Sequence, residues 1–182
     1  MNREQRTRAS KFLAYVLRHE PLSIGLQLDT EGWAEIDRLI AGAVNTGQSL
    51  DRSDLRGIVT ESAKMRFEIS DDGNRIRAIQ GHSTSQVNRT HIEKTPPDTL
   101  YHGTAKRCLD AILKDGLFAG SRHHVHLAGD VQSALANGRR YGEAVVLRIE
   151  SLRMHHDRLR FFQAENGVWL VDCVPARYLK LN

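Results

Sequence analysis

The chain has 182 residues, 40% of them hydrophobic and 26% charged, which suits one compact domain or two small lobes with modest cores and excludes a large multidomain enzyme. Its longest apolar runs, such as Ala144-Val145-Val146-Leu147, fall far short of the roughly 20 residues that cross a bilayer. The charged opening Asn2-Arg3-Glu4-Gln5-Arg6 does not fit a secretory leader, and two cysteines, Cys108 and Cys173, make no disulfide scaffold, so a reducing cytoplasm is the expected compartment.

Lys plus Arg is 26 against 22 Asp plus Glu, a net charge of +4 that permits a polyanionic partner without requiring one. Of the 26 cations 20 are Arg and 6 are Lys. The planar guanidinium grips phosphate in bidentate fashion, so the excess leans toward phosphate recognition, although genome composition produces the same bias.

From Thr7 to about Leu17, Ala9, Phe12, Leu13, Val16 and Leu17 recur at helical spacing. Pro21 stops that helix and leaves Arg18-His19 at its end. Asp29-Thr30-Glu31-Gly32 reads as a turn before Trp33, and Ile36, Leu39, Ile40 and Val44 mark a second short helix. Asp51 caps a third, with Asp54 three residues on and Leu55, Ile58 and Val59 on one face. The period then changes: Phe67 and Ile69, the turn Asp71-Asp72-Gly73-Asn74, and Ile76 and Ala78 predict a β-hairpin. Three short helices and a hairpin suggest a winged-helix lobe.

Residues 81–98 hold few large apolar side chains and predict a linker or an ordered surface loop. Beyond them come β-type runs at 99–102, 124–128, 144–149, 159–162 and 168–171, with helices at 108–114 and 131–136 among them. That mixture predicts an α+β lobe.

No Gly-x-Gly occurs, so the dinucleotide fingerprint of doubly wound folds is absent. The run from Gly42 to Ser49 has P-loop spacing, but Gln48 stands where the phosphate-reaching Lys belongs; it reads as a helix-ending loop. His123-His124-x-His126 invites a zinc reading. Alternation, however, sends His123 to the opposite side from His124 and His126, and no fourth ligand is evident, so no metal is expected.

The stronger signal is a series of blocks spread over both halves: Leu17-Arg18-His19, Leu28-Asp29 with Gly32-Trp33, Lys64-x-Arg66-Phe67, Arg77-Ala78-x-Gln80-Gly81-His82-Ser83, Tyr101-His102-Gly103-Thr104, Arg122, His124-Val125-His126-Leu127-Ala128 and Gly138-Arg139-Arg140. In their order and spacing these resemble the Tpt1/KptA family of RNA 2′-phosphotransferases, over nearly the whole chain. Ile79 stands where that family usually has Asn.

The resemblance implies an α+β protein with an N-terminal winged-helix lobe, residues 1–90, and a C-terminal ADP-ribosyltransferase-like lobe that binds NAD, residues 91–182. It implies a two-step reaction. An internal RNA 2′-phosphate attacks C1″ of the nicotinamide ribose of NAD and expels nicotinamide; the ribose 2″-hydroxyl then attacks the phosphorus, releasing 2′-OH RNA and ADP-ribose 1″,2″-cyclic phosphate. By the same resemblance Arg18, His19 and Arg66 grasp the 2′-phosphate and Arg122 reaches the reacting centre. His102 and Thr104 contact the adenosine-side ribose, the backbone of Gly103 meets the nicotinamide amide and lets the ligand approach the main chain, and His126 packs on nicotinamide. Val168 takes the position where protein-modifying relatives use Glu. The substitution fits the chemistry, because a phosphate monoester is already ionised near pH 7 and needs neutralisation and alignment rather than a carboxylate base.

The expected partners are NAD as co-substrate and RNA carrying an internal 2′-phosphate, tRNA-like or other, with no membrane and a monomeric chain. His19 has two open roles, phosphate ligand as imidazolium or general acid and base, since an imidazole of ordinary pKa, about 6.5, serves either. Plain competitors remain for several residues: Arg18-His19 as a helix C-terminal cap, Arg66 as an exposed strand residue, His155-His156 and His91 as solvated loops, and Arg139-Arg140 as a solvated helix end. Two other function classes compete. A non-catalytic winged-helix binder would read a groove with its third helix, yet residues 51–56 are of mixed charge; a transferase acting on proteins or small molecules would not need Arg18, His19 and Arg66.

Overall fold

Asn2 and Gln5 close a reciprocal capping box, so the first helix, α1 (Arg3–Arg18), begins four residues before the apolar period that announces it. The computed structural model describes residues 1–61 and 65–182, which divide into two units, Met1–Thr90 and His91–Asn182.

In the first unit α1 buries Ala9, Leu13, Val16 and Leu17 and gives way to a 3-10 turn that opens at Pro21. The Asp29 carboxylate accepts the N–H groups of Glu31 and Trp33, both at 2.9 Å, and this turn launches β1 (Trp33–Glu35) directly into α2 (Ile36–Asn45). On α2 the buried positions are Ile36, Leu39, Gly42 and Ala43, while Val44 faces outward. The run from Gly42 is thus the end of a helix. α3 (Arg52–Thr60) starts at a second box, Asp51 with Asp54. The hairpin of β2 (Phe67–Ile69) and β3 (Arg75–Ala78) pairs Phe67 with Ala78 and Ile69 with Ile76. β1 joins the other edge of β3, giving an antiparallel sheet in the order β1-β3-β2. Trp33 lies half-buried in that sheet under two guanidiniums, Arg77 at 4.3 Å and Arg75 at 5.4 Å from its ring centroid. Residues 81–90 carry no regular element, yet His82, Val87 and Arg89 are buried: the stretch is an ordered loop of this unit.

The second unit contains β4 (Ile92–Glu93), β5 (Leu100–Ala105), α4 (Leu109–Asp115), β6 (Leu117–Phe118), β7 (Val125–Leu127), α5 (Val131–Gly138), β8 (Ala144–Ile149), α6 (Ser151–His156), β9 (Phe162–Gln163), β10 (Trp169–Val171), β11 (Cys173–Val174) and β12 (Leu179–Leu181). They form antiparallel sheets in the orders β4-β9-β10-β7, β11-β6 and β12-β8-β5, and a bridge between Tyr101 and Ala128 ties β5 to the end of β7. The architecture is mixed α and β with antiparallel pairing throughout. Leu100, Leu127, Ile149, Phe161, Trp169 and Tyr178 are among the side chains of the core.

A sequence expectation fails at the end of α6. His155-His156 ends α6 and does not sit in a solvated loop. Ser151 and Met154 on that helix are fully buried, and the Ser151 hydroxyl donates to the Pro97 carbonyl at 2.7 Å. Six residues with four polar side chains offer too little periodicity to reveal the helix. No helix among the described residues is long and apolar enough to cross a membrane.

The backbone of α5 lies directly on that of β5. A Cβ on Gly103 would overlap the carbonyl of Ala134, and one on Gly138 would stand 2.9 Å from the Thr104 carbonyl oxygen and 3.0 Å from its nitrogen. Gly138→Ala should therefore destabilise the fold by about 1–3 kcal/mol or more, the range for overpacking a close-packed contact. Urea unfolding of the variant beside the parent checks this.

Candidate active site

In the first unit two candidate phosphate ligands stand where α1 runs out. The last carbonyls of a helix lack intrahelical partners, and that of Arg18 accepts the N–H groups of Ser83 at 2.8 Å and Thr84 at 3.3 Å. The same loop reaches the side chains. The Ser83 hydroxyl is 2.8 Å from Nδ1 of His19. Gly81, at φ +93°, lies beneath the Arg18 guanidinium, 3.6–3.7 Å separating its Cβ position from Cδ, Nε and Cζ. Arg66 immediately precedes β2; its Nη1 donates to the Ser10 hydroxyl on α1 at 3.4 Å, and its carbonyl accepts the Ile79 N–H at 3.0 Å. Residues 79–84 therefore start on the backbone of Arg66 and end on that of Arg18. Arg66 is half-buried and not an exposed strand residue. Lys64, quoted in the same block, lies outside the described residues. The Ile79 side chain is fully buried, and the polar contacts at this position come from its backbone, through Arg66 and through Nη1 of Arg89, which donates to its carbonyl.

In the second unit Arg122, His126 and His102 form a hydrogen-bonded chain. Arg122 Nη1 stands 3.1 Å from Nδ1 of His126, and the His126 carbonyl stands 3.1 Å from Nδ1 of His102. A guanidinium can only donate and a carbonyl can only accept. His126 is therefore unprotonated at Nδ1 and carries its proton at Nε2, whereas His102 carries its proton at Nδ1 and presents Nε2 as an acceptor. Burial, the largest cause, pushes the His102 pKa below its ordinary value; the His126 carbonyl opposes that, and the nearby Arg122 charge adds to it. Two bound imidazoles are fixed in opposite tautomers, one offering a lone pair and one a proton.

Alternation along β5 sets His102 and Thr104 on one face with Leu100, and Gly103 on the face that α5 covers. The structure gives Gly103 a packing reason of its own: its missing Cβ makes room for the Ala134 carbonyl. Thr104 is buried. In the β10/β7 pair Leu170 lies opposite His126 and Trp169 opposite Leu127, so half-buried Val168, two residues before Leu170, shares the His126 face. Its N–H donates to the Asn166 side chain at 3.3 Å.

Other residues fall outside these groups. Arg139 and Arg140 occupy an exposed 3-10 turn after α5. His124 packs edge-on against His91 at 5.8 Å and faces Phe162 at 5.9 Å, with Asp172 at 3.8 Å. Half-buried His91 is thus part of an aromatic cluster rather than a solvated loop. Among the described residues no three His, Cys, Asp or Glu side chains gather as metal ligands. Sequence reasoning missed Arg89 and the role of Ser83. Arg89 is buried, bonds the carbonyls of Ala78 and Ile79, and lies 3.9 Å from Glu31; the only cue was an arginine in a polar stretch.

Comparison with known proteins gives a consistent result. The family model described as "RNA 2'-phosphotransferase, Tpt1 / KptA family" matches residues 4–173. A "Probable RNA 2'-phosphotransferase" of Burkholderia lata is 56% identical over 174 residues, 96% of this chain and 90% of that protein. Proteins of the same description from Pseudomonas syringae pv. tomato and Escherichia coli O45:K1 are 53% and 51% identical, each over 98% of this chain, covering 96% and 92% of their own lengths.

The His102 environment yields a measurable pH effect. With its folded pKa below the unfolded value of about 6.5, the unfolded chain binds the extra proton first as pH falls. The stability contributed by neutral His102 is thus complete above pH 6.5 and declines below it. Urea midpoints at pH 7.5 and 5.5 should differ less in His102→Asn than in the parent.

Proposed function

We propose that this chain, which belongs to the Tpt1/KptA family of RNA 2′-phosphotransferases, removes an internal RNA 2′-phosphate in two steps with NAD as co-substrate, yielding 2′-OH RNA, nicotinamide and ADP-ribose 1″,2″-cyclic phosphate. NAD supplies an activated glycosidic carbon whose bond to nicotinamide breaks as a phosphate oxygen bonds to it. The observation that carries the reading is the chain from Arg122 through His126 to His102. An imidazole held neutral, with Nε2 as its acceptor, suits the hydroxyl of a ribose, which can donate. His126 and Val168 on one sheet face suit a flat amide-bearing ring, one edge offering a proton and the other an apolar contact. This reading makes the second unit an ADP-ribosyltransferase-like lobe and the first a winged-helix lobe.

The residues of the first unit would hold the other substrate. A 2′-phosphate beside a 3′,5′-diester concentrates about two to three negative charges, which Arg18, His19 and Arg66 neutralise in this proposal. Ser83 holds Nδ1 of His19, and Nε2 is the atom assigned to the phosphate, either as a donor or to move a proton. In the second step a bond forms between phosphorus and the 2″-oxygen and the bond to the RNA 2′-oxygen breaks; the 2″-hydroxyl loses its proton and the departing 2′-oxygen gains one. Arg122 stabilises the charge at the reacting centre. Guanidiniums supply the neutralisation that other phosphoryl-transfer sites draw from metal ions, so no metal enters the proposal. The chain is read as a cytoplasmic monomer whose RNA is tRNA-like or other.

The test is incubation with NAD and a short oligoribonucleotide bearing one internal 2′-phosphate, followed by the masses of both products. ADP-ribose cyclic phosphate and 2′-OH RNA are expected. Arg18→Ala, His19→Ala and Arg66→Ala should each lower turnover by about 10²-fold or more; turnover that survives all three would refute the phosphate assignment.

A further inference from the structure

α1 has a second face that the core does not use and of which the proposed chemistry uses only the last residue, Arg18. At 3.6 residues per turn Arg8, Lys11, Tyr15 and Arg18 fall within an arc of about 80°, opposite the buried side chains Ala9, Leu13, Val16 and Leu17. Arg8, Lys11 and Tyr15 are exposed. Tyr15 shows 51% of its surface, more than a large aromatic usually leaves in water without a partner, and its ring centroid lies 6.5 Å from that of His19. Arg8 meets Glu4 at 3.8 Å, both side chains being more than 70% exposed, so the pair is weak and readily exchanged for a phosphate. The row of one aromatic between cations runs along the helix straight to Arg18 and His19.

We propose that this face of α1 is a track for the single-stranded RNA that flanks the 2′-phosphorylated nucleotide. Tyr15 stacks on a neighbouring base, and Lys11 and Arg8 contact successive backbone phosphates. Aromatic platforms interleaved with cations bind single strands without regard to sequence, since every base has a π face. From Arg8 to Arg18 the helix rises about 15 Å, the reach of a few nucleotides. The track thus explains how one catalytic site could take RNAs that differ in sequence. The inference rests on the phosphate assignment made above and adds to it the determinant of substrate length.

Fluorescence anisotropy tests it, using a single-stranded oligoribonucleotide of about ten nucleotides with one internal 2′-phosphate and a 2′-phosphorylated dinucleotide. Tyr15→Ala should weaken binding of the longer RNA about 5- to 100-fold, and Tyr15→Phe should retain it. Lys11→Ala and Arg8→Ala should each lower the slope of log affinity against log salt by about one. In all three alanine variants the preference for the long RNA over the dinucleotide should shrink, whereas Lys114→Ala, which removes a charge from exposed α4, should keep it. An oligomer affinity and salt slope equal to the parent's in Tyr15→Ala and Lys11→Ala would overturn the track and leave the face to another partner, such as a protein. Failure of the underlying reaction appears instead in the parent's product masses, which the binding measurement does not involve.

Discussion

A helix must dispose of its last carbonyls, and in the first unit that requirement organises the candidate phosphate ligands. Two amides from an irregular loop fill the Arg18 carbonyl, which fixes the loop, and the loop then fixes the side chains: Ser83 holds the His19 ring and Gly81 underlies the Arg18 guanidinium. The other end of the segment is clamped by backbone bonding to Arg66 and by buried Arg89, which spans two successive carbonyls. Cations that converge on one polyanion, as proposed for these residues, repel one another, so their positions would depend on surroundings stiff enough to resist that repulsion.

The second unit solves a different problem. Its candidate residues sit on regular strands or, for Arg122 and Val168, just before them, and Arg122, His126 and His102 are held by one another. The glycine contact between α5 and β5 sets the strand that carries His102, and the β7/β10 register sets His126 and Val168. A buried imidazole beside a guanidinium stays neutral, and the direction of each hydrogen bond dictates which nitrogen keeps the proton. Beside the Arg122 charge, the unit therefore offers imidazole donors and acceptors of defined direction.

Much of this was legible from residue order. Helical spacing in residues 7–17, the acid-rich cap at Asp51 and the turn at 71–74 are local signals, and each marks an element that exists. β1, β4, β6, β11 and β12 are two or three residues long, too short to show alternation; their pairing is decided by partners distant in the chain. α6 was hidden for the same reason. Among site residues, the blocks around Arg18, Arg66, His102 and His126 stood out through family resemblance, while Arg89 did not, because the two carbonyls it bonds come near it only once the hairpin has formed. At Gly103 the sequence suggests a ligand as the reason for a missing Cβ, and the structure adds another: the backbone of α5 fills that space.

The two tryptophans, one in each unit, differ in surroundings: Trp33 is half-buried under two guanidiniums, and Trp169 belongs to a core. An indole partly in water under two guanidiniums emits differently from a buried one with a single ammonium 5.9 Å from its ring centroid, so the protein carries a separate intrinsic fluorophore for each half. Replacing either one leaves a reporter for the other, and whether the halves melt together or in turn can be followed by emission alone, without an attached dye.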